Sequence, residues 1–179
     1  MNRRELMGQG VALGATLALG GAAVPAGAAA ASAGATAPIL RAIPSTGEKL
    51  PVIGLGTSGP FEVGAEAAAR APLAAVLGAF FDGGATLIDT SPMYSTAEAV
   101  LGDLLTPAQQ QRAFIATKVW TRGEQEGIAQ MTRSMQLMKR ERVELMQVHN
   151  LLDLDTHLRT LRRWKEEGRI RYIGITHFT

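Results

Sequence analysis

Short β-rich runs centred near Leu87, Ile115, Leu145 and Ile173 follow one another at intervals of 28, 30 and 28 residues, separated by longer stretches with helical periodicity. That interval holds one strand, one helix and the two loops joining them, so the chain reads as successive right-handed βα units around a parallel sheet. Parallel strands need both faces covered, which makes this an α/β protein.

The runs and their boundaries can be placed one by one. Residues 40–43 and 49–52 flank Pro44-Ser45-Thr46-Gly47-Glu48 and predict a small hairpin. A first buried strand follows over 52–55 and an Ala-rich helix over 66–81, with Pro72 near its start and Gly83-Gly84 as its stop. Strands are expected over 86–88, 113–117, 143–148 and 172–175. Thr96 can cap a helix running to Leu105, and Asp155 one running to Glu167, with Gly168 just past its end. In the helix predicted over 124–138, Ile128, Met131, Met135 and Met138 recur at helical spacing and are read as core. His157, among charged neighbours, and Arg159, Arg162, Arg163 and Lys165 are read as a solvated helix face.

Composition narrows the chemistry. The 179 residues include no cysteine, which excludes disulfide staples, thiolate nucleophiles and thiolate-bound zinc. Three histidines leave little to build a metal centre, and no metal is expected. Eighteen basic and 16 acidic side chains give a formal charge of +2, too small for a nucleic-acid-binding surface or a polybasic membrane patch.

The first 37 residues stand apart: 13 are Ala and 7 are Gly, and no charged residue lies between Leu6 and Leu40. Asn2-Arg3-Arg4-Glu5-Leu6-Met7 is followed by 14 weakly apolar residues from Val11 to Val24, then Pro25 and small-residue triplets at Ala26-Gly27-Ala28 and Ala31-Ser32-Ala33. This is the layout of a cleavable export signal, and its apolar run falls short of the ~20 residues that cross a bilayer. The arginine pair resembles a twin-arginine signal, which implies the twin-arginine export machinery as a partner and a periplasmic or otherwise exported location. Residues 1–37 are therefore read as signal peptide and disordered linker, and 38–179 as the folded domain.

Two α/β architectures compete at Gly54-Leu55-Gly56-Thr57-Ser58-Gly59. The stretch matches the G-x-G-x-x-G of a dinucleotide-binding unit, but Asp89 comes 30 residues after Gly59 where that fingerprint expects an acid at ~20. In the other architecture these glycines form a loop at the C-terminal rim of the first strand of a barrel, where backbone can approach a ligand closely. Residues just past the ends of adjacent parallel strands then converge on one face. They are Gly56 and Thr57, Asp89, Lys118, His149, and Thr176 with His177, joined by Tyr94 from the loop after Asp89. An ammonium beside a phenol stabilises the phenolate, a carboxylate can hold that ammonium charged, and an imidazole can orient a carbonyl. Such a set would protonate a carbonyl oxygen as hydride arrives at carbon, and the hydride must come from a cofactor.

Pro51-Val52-Ile53-Gly54-Leu55-Gly56-Thr57, Gly83-Gly84-Ala85-Thr86-Leu87-Ile88-Asp89-Thr90-Ser91-Pro92-Met93-Tyr94, Phe114-Ile115-Ala116-Thr117-Lys118, Met146-Gln147-Val148-His149-Asn150 and Ile170-Arg171-Tyr172-Ile173-Gly174-Ile175, in this order and spacing, resemble the aldo/keto reductase family from about Arg41 onward. The resemblance implies a (β/α)8, TIM-type barrel that reduces aldehydes and ketones, with a small carbonyl compound as substrate and NADPH, less often NADH, as cofactor. It further implies Tyr94 as proton donor, Lys118 and Asp89 as the pair that tunes it, and His149 as the residue that orients substrate. Gly56, Thr57, Ser58 and Asp89 would lie near the cofactor, with Thr176 and His177, where the family carries Ser-Asn, beside the nicotinamide amide.

A closed eight-stranded barrel takes ~250 residues, whereas this sequence supplies the hairpin and about five barrel strands. The expected fold is thus a partial barrel, truncated after its fifth strand, with the catalytic residues present and the basic loop that grips the adenosine phosphate in the family missing. Open strand edges would favour self-association. The alternatives to a reductase are an inactive half-barrel that binds a partner or self-assembles, and a Rossmann-type binding module.

Overall fold

The computed structural model describes residues 37–177; the export signal read from the first residues lies outside them. Strands β1 (Leu40–Ala42) and β2 (Lys49–Pro51) form the expected antiparallel hairpin, Leu40 opposite Pro51. Five strands, β3 (Gly54–Gly56), β4 (Leu87–Asp89), β5 (Phe114–Val119), β6 (Val143–His149) and β7 (Ile170–Thr176), then build one all-parallel sheet in strict chain order. Helices α1 (Ala67–Asp82), α2 (Ala97–Leu104), α3 (Pro107–Arg112), α4 (Glu124–Leu137) and α5 (Leu154–Glu166) occupy the crossovers. A Rossmann-type sheet reverses its strand order at the ligand crevice, and this sheet does not reverse. Sequential parallel strands with helical crossovers are part of an α/β barrel.

The helices cover one face of the sheet, where the core lies. Leu73, Leu77 and Phe81 of α1, Met131 and Met135 of α4 with Met138 just beyond its end, and Leu161 and Trp164 of α5 are buried with Ile88, Ile115, Val119, Met146 and Val148 of the strands. Their spacing of three or four residues turns one stripe of each helix to the sheet. The hairpin docks near the start of β7, where the Glu48 carboxylate accepts from the Arg171 guanidinium at 2.5 Å and from the Tyr172 hydroxyl.

Several local expectations are corrected. Thr96 does precede α2, but its hydroxyl donates to the Val63 carbonyl at 2.7 Å instead of capping the helix. Asp153, not Asp155, stands at the N-terminus of α5, and its carboxylate accepts from the Gly123 amide at 2.8 Å. The short helix α3 stands where no helix is expected, and Thr106 and Gln109 form a reciprocal capping box with Pro107 at the first helical position, the local signature of a helix start. His157 is not solvated: the α5 stripe that carries Leu161 and Trp164 also carries His157, at 0% exposure. The arginines and lysine around it do face water, with Arg163 paired to Glu124 at 3.1 Å.

Two features of the α2–β5–α4 layer generate predictions. A Cβ at Gly102 would stand 2.0 Å from the Leu137 carbonyl oxygen, so the closeness of α2 to the end of α4 requires glycine there. Gly102→Ala should therefore lower stability by ~2 kcal/mol or more despite its better helix propensity, read as a lower urea midpoint; an unchanged midpoint would show that the helices part freely. Glu98 of α2, 2% exposed, accepts from the Thr117 hydroxyl at 2.7 Å. Burial pushes its carboxyl above the ordinary value of 4.5, against the opposing influence of Thr117, Ser134, Lys118 and Arg133. The native state thus keeps a proton that the unfolded chain releases above that value, so this group's contribution to stability falls as pH rises. Glu98→Gln should match the parent near pH 4 and exceed it at pH 7 in urea unfolding, and a gap that narrows with rising pH would contradict this.

Candidate active site

The pleat sends alternate residues of each strand to opposite faces. Thr117 turns toward α2 and bonds Glu98, so Ala116 and Lys118 on either side of it face away from the helices. Register then sets heights on that inner face: Asp89 lies level with Gly56 and Ala116, Lys118 level with Gln147 and Gly174, and His149 level with Thr176. Each step up is two residues, about 6.6 Å. A lysine is long enough to reach down one such step, and Lys118 does so.

The Lys118 ammonium donates to Asp89 Oδ1 at 2.6 Å and to the Thr90 carbonyl at 2.9 Å, and lies 5.0 Å from the centre of the Tyr94 ring. Its side chain is 5% exposed and that of Asp89 36%. A carboxylate, a carbonyl and a π face surround this ammonium and offset the cost of taking it out of water. The second carboxylate oxygen of Asp89 accepts from Gln147 Nε2 at 3.2 Å, and its backbone carbonyl accepts from both the amide and the hydroxyl of Thr57 at 3.1 Å. Asp89 is thus fixed from three strands' ends. Tyr94 is held in its loop by backbone bonds from its amide to the Ser91 carbonyl at 3.0 Å and from the Ala97 amide to its own carbonyl at 2.8 Å.

One step higher, His149 Nδ1 is 2.8 Å from the Thr176 hydroxyl, and the imidazole meets the Trp120 indole edge-on, ring centres 6.0 Å apart. Burial lowers the His149 pKa below its ordinary 6.5, helped by the neighbouring Lys118 and His177 side chains and opposed by Asp89. The ring is therefore neutral at pH 7 and can both donate and accept.

The structure brings Asp89, Tyr94, Lys118 and His149 to one rim, together with Thr57 and Thr176. Gly56 and Ser58 are exposed beside them, and a Cβ at Gly56 would meet nothing within 4 Å, so the end of β3 is open backbone. Thr57, by contrast, is buried with its hydroxyl turned onto Asp89, and His177 is exposed. Two residues of the cluster were not anticipated, Gln147 and Trp120. Their signal was the period of two: Gln147 precedes His149 by one step on β6, and Trp120, one residue past the end of β5, follows Lys118 by one step.

A family model, the aldo/keto reductase family, matches residues 52–179. Methylglyoxal reductase YeaE of Escherichia coli is 29% identical over 134 residues, 72% of this chain and 46% of the relative. Among solved structures, a Pseudomonas aeruginosa protein put forward as an aldo-keto reductase superposes with a TM-score of 0.68 at 27% identity, covering 80% of this chain and 62% of that one. An aldo/keto reductase from Klebsiella pneumoniae, in complex with NADP and acetate, gives 0.63 at 28% identity, with 72% and 46% covered. The chain thus spans about half the length of the curated relative it matches. A sheet of sequential parallel strands, a rim that pairs Asp89 with Lys118 beside the Tyr94 ring, and a family match over most of the chain converge: this protein belongs to the aldo/keto reductase family.

Proposed function

We propose that this protein reduces aldehyde or ketone carbonyls with a nicotinamide cofactor, NADPH or NADH, and that Tyr94 is the proton donor. The observation that carries the proposal is the Lys118 ammonium, held by Asp89 and set against the Tyr94 ring. A positive charge there favours the phenolate left behind when Tyr94 gives up its proton. Asp89, pinned by Gln147 and Thr57, holds the ammonium in place. His149, neutral and with Nδ1 engaged by Thr176, offers its other nitrogen to a carbonyl oxygen, and Trp120 supplies a flat apolar wall beside it.

The rim suits a nicotinamide ring. The open backbone at Gly56 and Ser58 allows a planar group to lie close, and Thr176 and His177 bring polar groups for an amide. When bound, the cofactor supplies the hydride that no side chain can. The named similarity to a methylglyoxal reductase makes methylglyoxal a rational first substrate to assay. The paired arginines at Arg3-Arg4 support export as the setting for this activity.

Tyr94→Phe should reduce kcat for carbonyl reduction by roughly 10²–10⁴-fold while NADPH affinity stays within about two-fold of the parent; an unchanged kcat would remove Tyr94 from the mechanism. His149 should titrate below 6.5 in an NMR pH series, and Lys118→Met should move that midpoint upward, because a neighbouring positive charge is gone. A downward move would show that Lys118 does not act on His149.

One observation favours a second role. Among the described residues, β3 and β7 each have one neighbour only, and Ile175 on β7 is 61% exposed. Unpaired parallel edges can join a second copy. Sedimentation of the purified chain would reveal this as a dimer that Ile175→Lys dissociates; a monomer at all concentrations would exclude it.

A further inference from the structure

The loop that carries Trp120 is clamped by side chains from α4 and α5, the two helices that follow it. Gln130 of α4 accepts from the Trp120 amide at 2.7 Å. Asp153, at the start of α5, accepts from the Gly123 amide at 2.8 Å. Between them, His157 Nε2 lies 2.8 Å from the Thr121 carbonyl oxygen. A carbonyl only accepts, so Nε2 carries the proton in this bond. The imidazole is 0% exposed, and its Nδ1 has no hydrogen-bond partner among the described residues.

A buried ring with one bond made and one nitrogen unpartnered is a costly way to fill space, because an apolar side chain would carry no desolvation penalty there. Its neighbour is adapted to it: a Cβ at Gly127 would stand 2.5 Å from His157 Cε1 and 2.7 Å from Nδ1. The following loop is strained as well. Asn150, Leu151 and Asp153 all have positive φ, at 53°, 54° and 50°, which non-glycine residues adopt only where surrounding contacts enforce it. That loop begins directly after His149 and ends at the Asp153 that holds Gly123. The two rim loops are therefore fastened to each other, one bearing the indole and the other leading from the imidazole it touches.

We propose that His157 is a positioning residue of the rim: its bond to the Thr121 carbonyl, made possible by Gly127, sets the Trp120 indole against His149. The inference rests on the reductase reading only for its meaning in catalysis, since the latch itself is a property of the folded chain. Without the bond, the Thr121 carbonyl turns to solvent, the loop swings out, and His149 loses one wall of its surroundings.

The test uses the full chain and needs no turnover. Trp164, the second tryptophan, is buried at 1% exposure whereas Trp120 is 44% exposed, so acrylamide reports on Trp120. His157→Ala should roughly double the quenching slope, a loop-opening effect, and raise the NMR titration midpoint of His149 toward 6.5. His157→Gln, whose amide can donate to the same carbonyl, should restore both signals, and Gly127→Ala, which drives the ring aside, should reproduce the alanine phenotype. If the alanine variant is too unstable to purify, the Gln and Gly127 variants decide. A folded His157→Ala or Gly127→Ala that loses thermal stability but keeps both the quenching slope and the His149 midpoint would overturn the proposal. So would a glutamine variant that folds but shows the alanine phenotype. Failure of NADPH-dependent reduction in the parent, with these signals as expected, would instead refute the reductase reading and leave the latch standing.

Discussion

A lysine whose ammonium is withdrawn from water is the constraint around which the rim is organised. Lys118 points into the sheet's inner face, and a charge there is tolerable only if acceptors are already in place when it arrives. Asp89 and the Thr90 carbonyl are those acceptors, both at the end of the neighbouring strand. Their position depends in turn on Thr57 from the strand before and Gln147 from the strand after. One buried cation thus ties together the ends of four consecutive strands, and the Tyr94 ring completes its enclosure.

The same charge shapes what lies above it. His149 is one step higher on its strand, and the nearby ammonium works with burial to keep the imidazole neutral. A neutral imidazole can donate one hydrogen bond and accept another, and Thr176 engages one of its two nitrogens. The opposite face of β5, the strand of Lys118, is equally committed: Thr117, adjacent to Lys118, bonds the buried Glu98 between α2 and α4. The strand that delivers the lysine is therefore held from both sides, apolar and ionic.

How much of this was legible varied with the range of the interaction. The helix α4 was readable because Met131, Met135 and Met138 repeat at the period of a buried stripe. The end of α5 was readable because Gly168, with φ of 74°, follows it as a left-handed residue should. Asp89, Lys118 and His149 could be singled out because each sits at the end of a β-rich run and carries chemistry, and Tyr94 because it lies in the loop that follows Asp89. Misjudged were residues whose partners lie far off in sequence. Thr96 bonds Val63, Asp153 bonds Gly123, and His157 bonds Thr121, none of which a local pattern can announce. His157 in particular has charged neighbours along the chain, but the helix turns it onto the buried stripe one turn before Leu161.

The sequence by itself determined the alternation of strands and helices, the hairpin before them and the set of polar residues at strand ends, because periodicity, turn residues and helix stops are local properties of the chain. Only the tertiary structure decided that Lys118 stands one step above Asp89 and level with Gln147, that Tyr94 meets the lysine through its ring, and that the Trp120 indole packs beside His149. These depend on the register of parallel strands joined by long crossovers, and register is fixed by packing between elements some thirty residues apart, not by any feature within one of them.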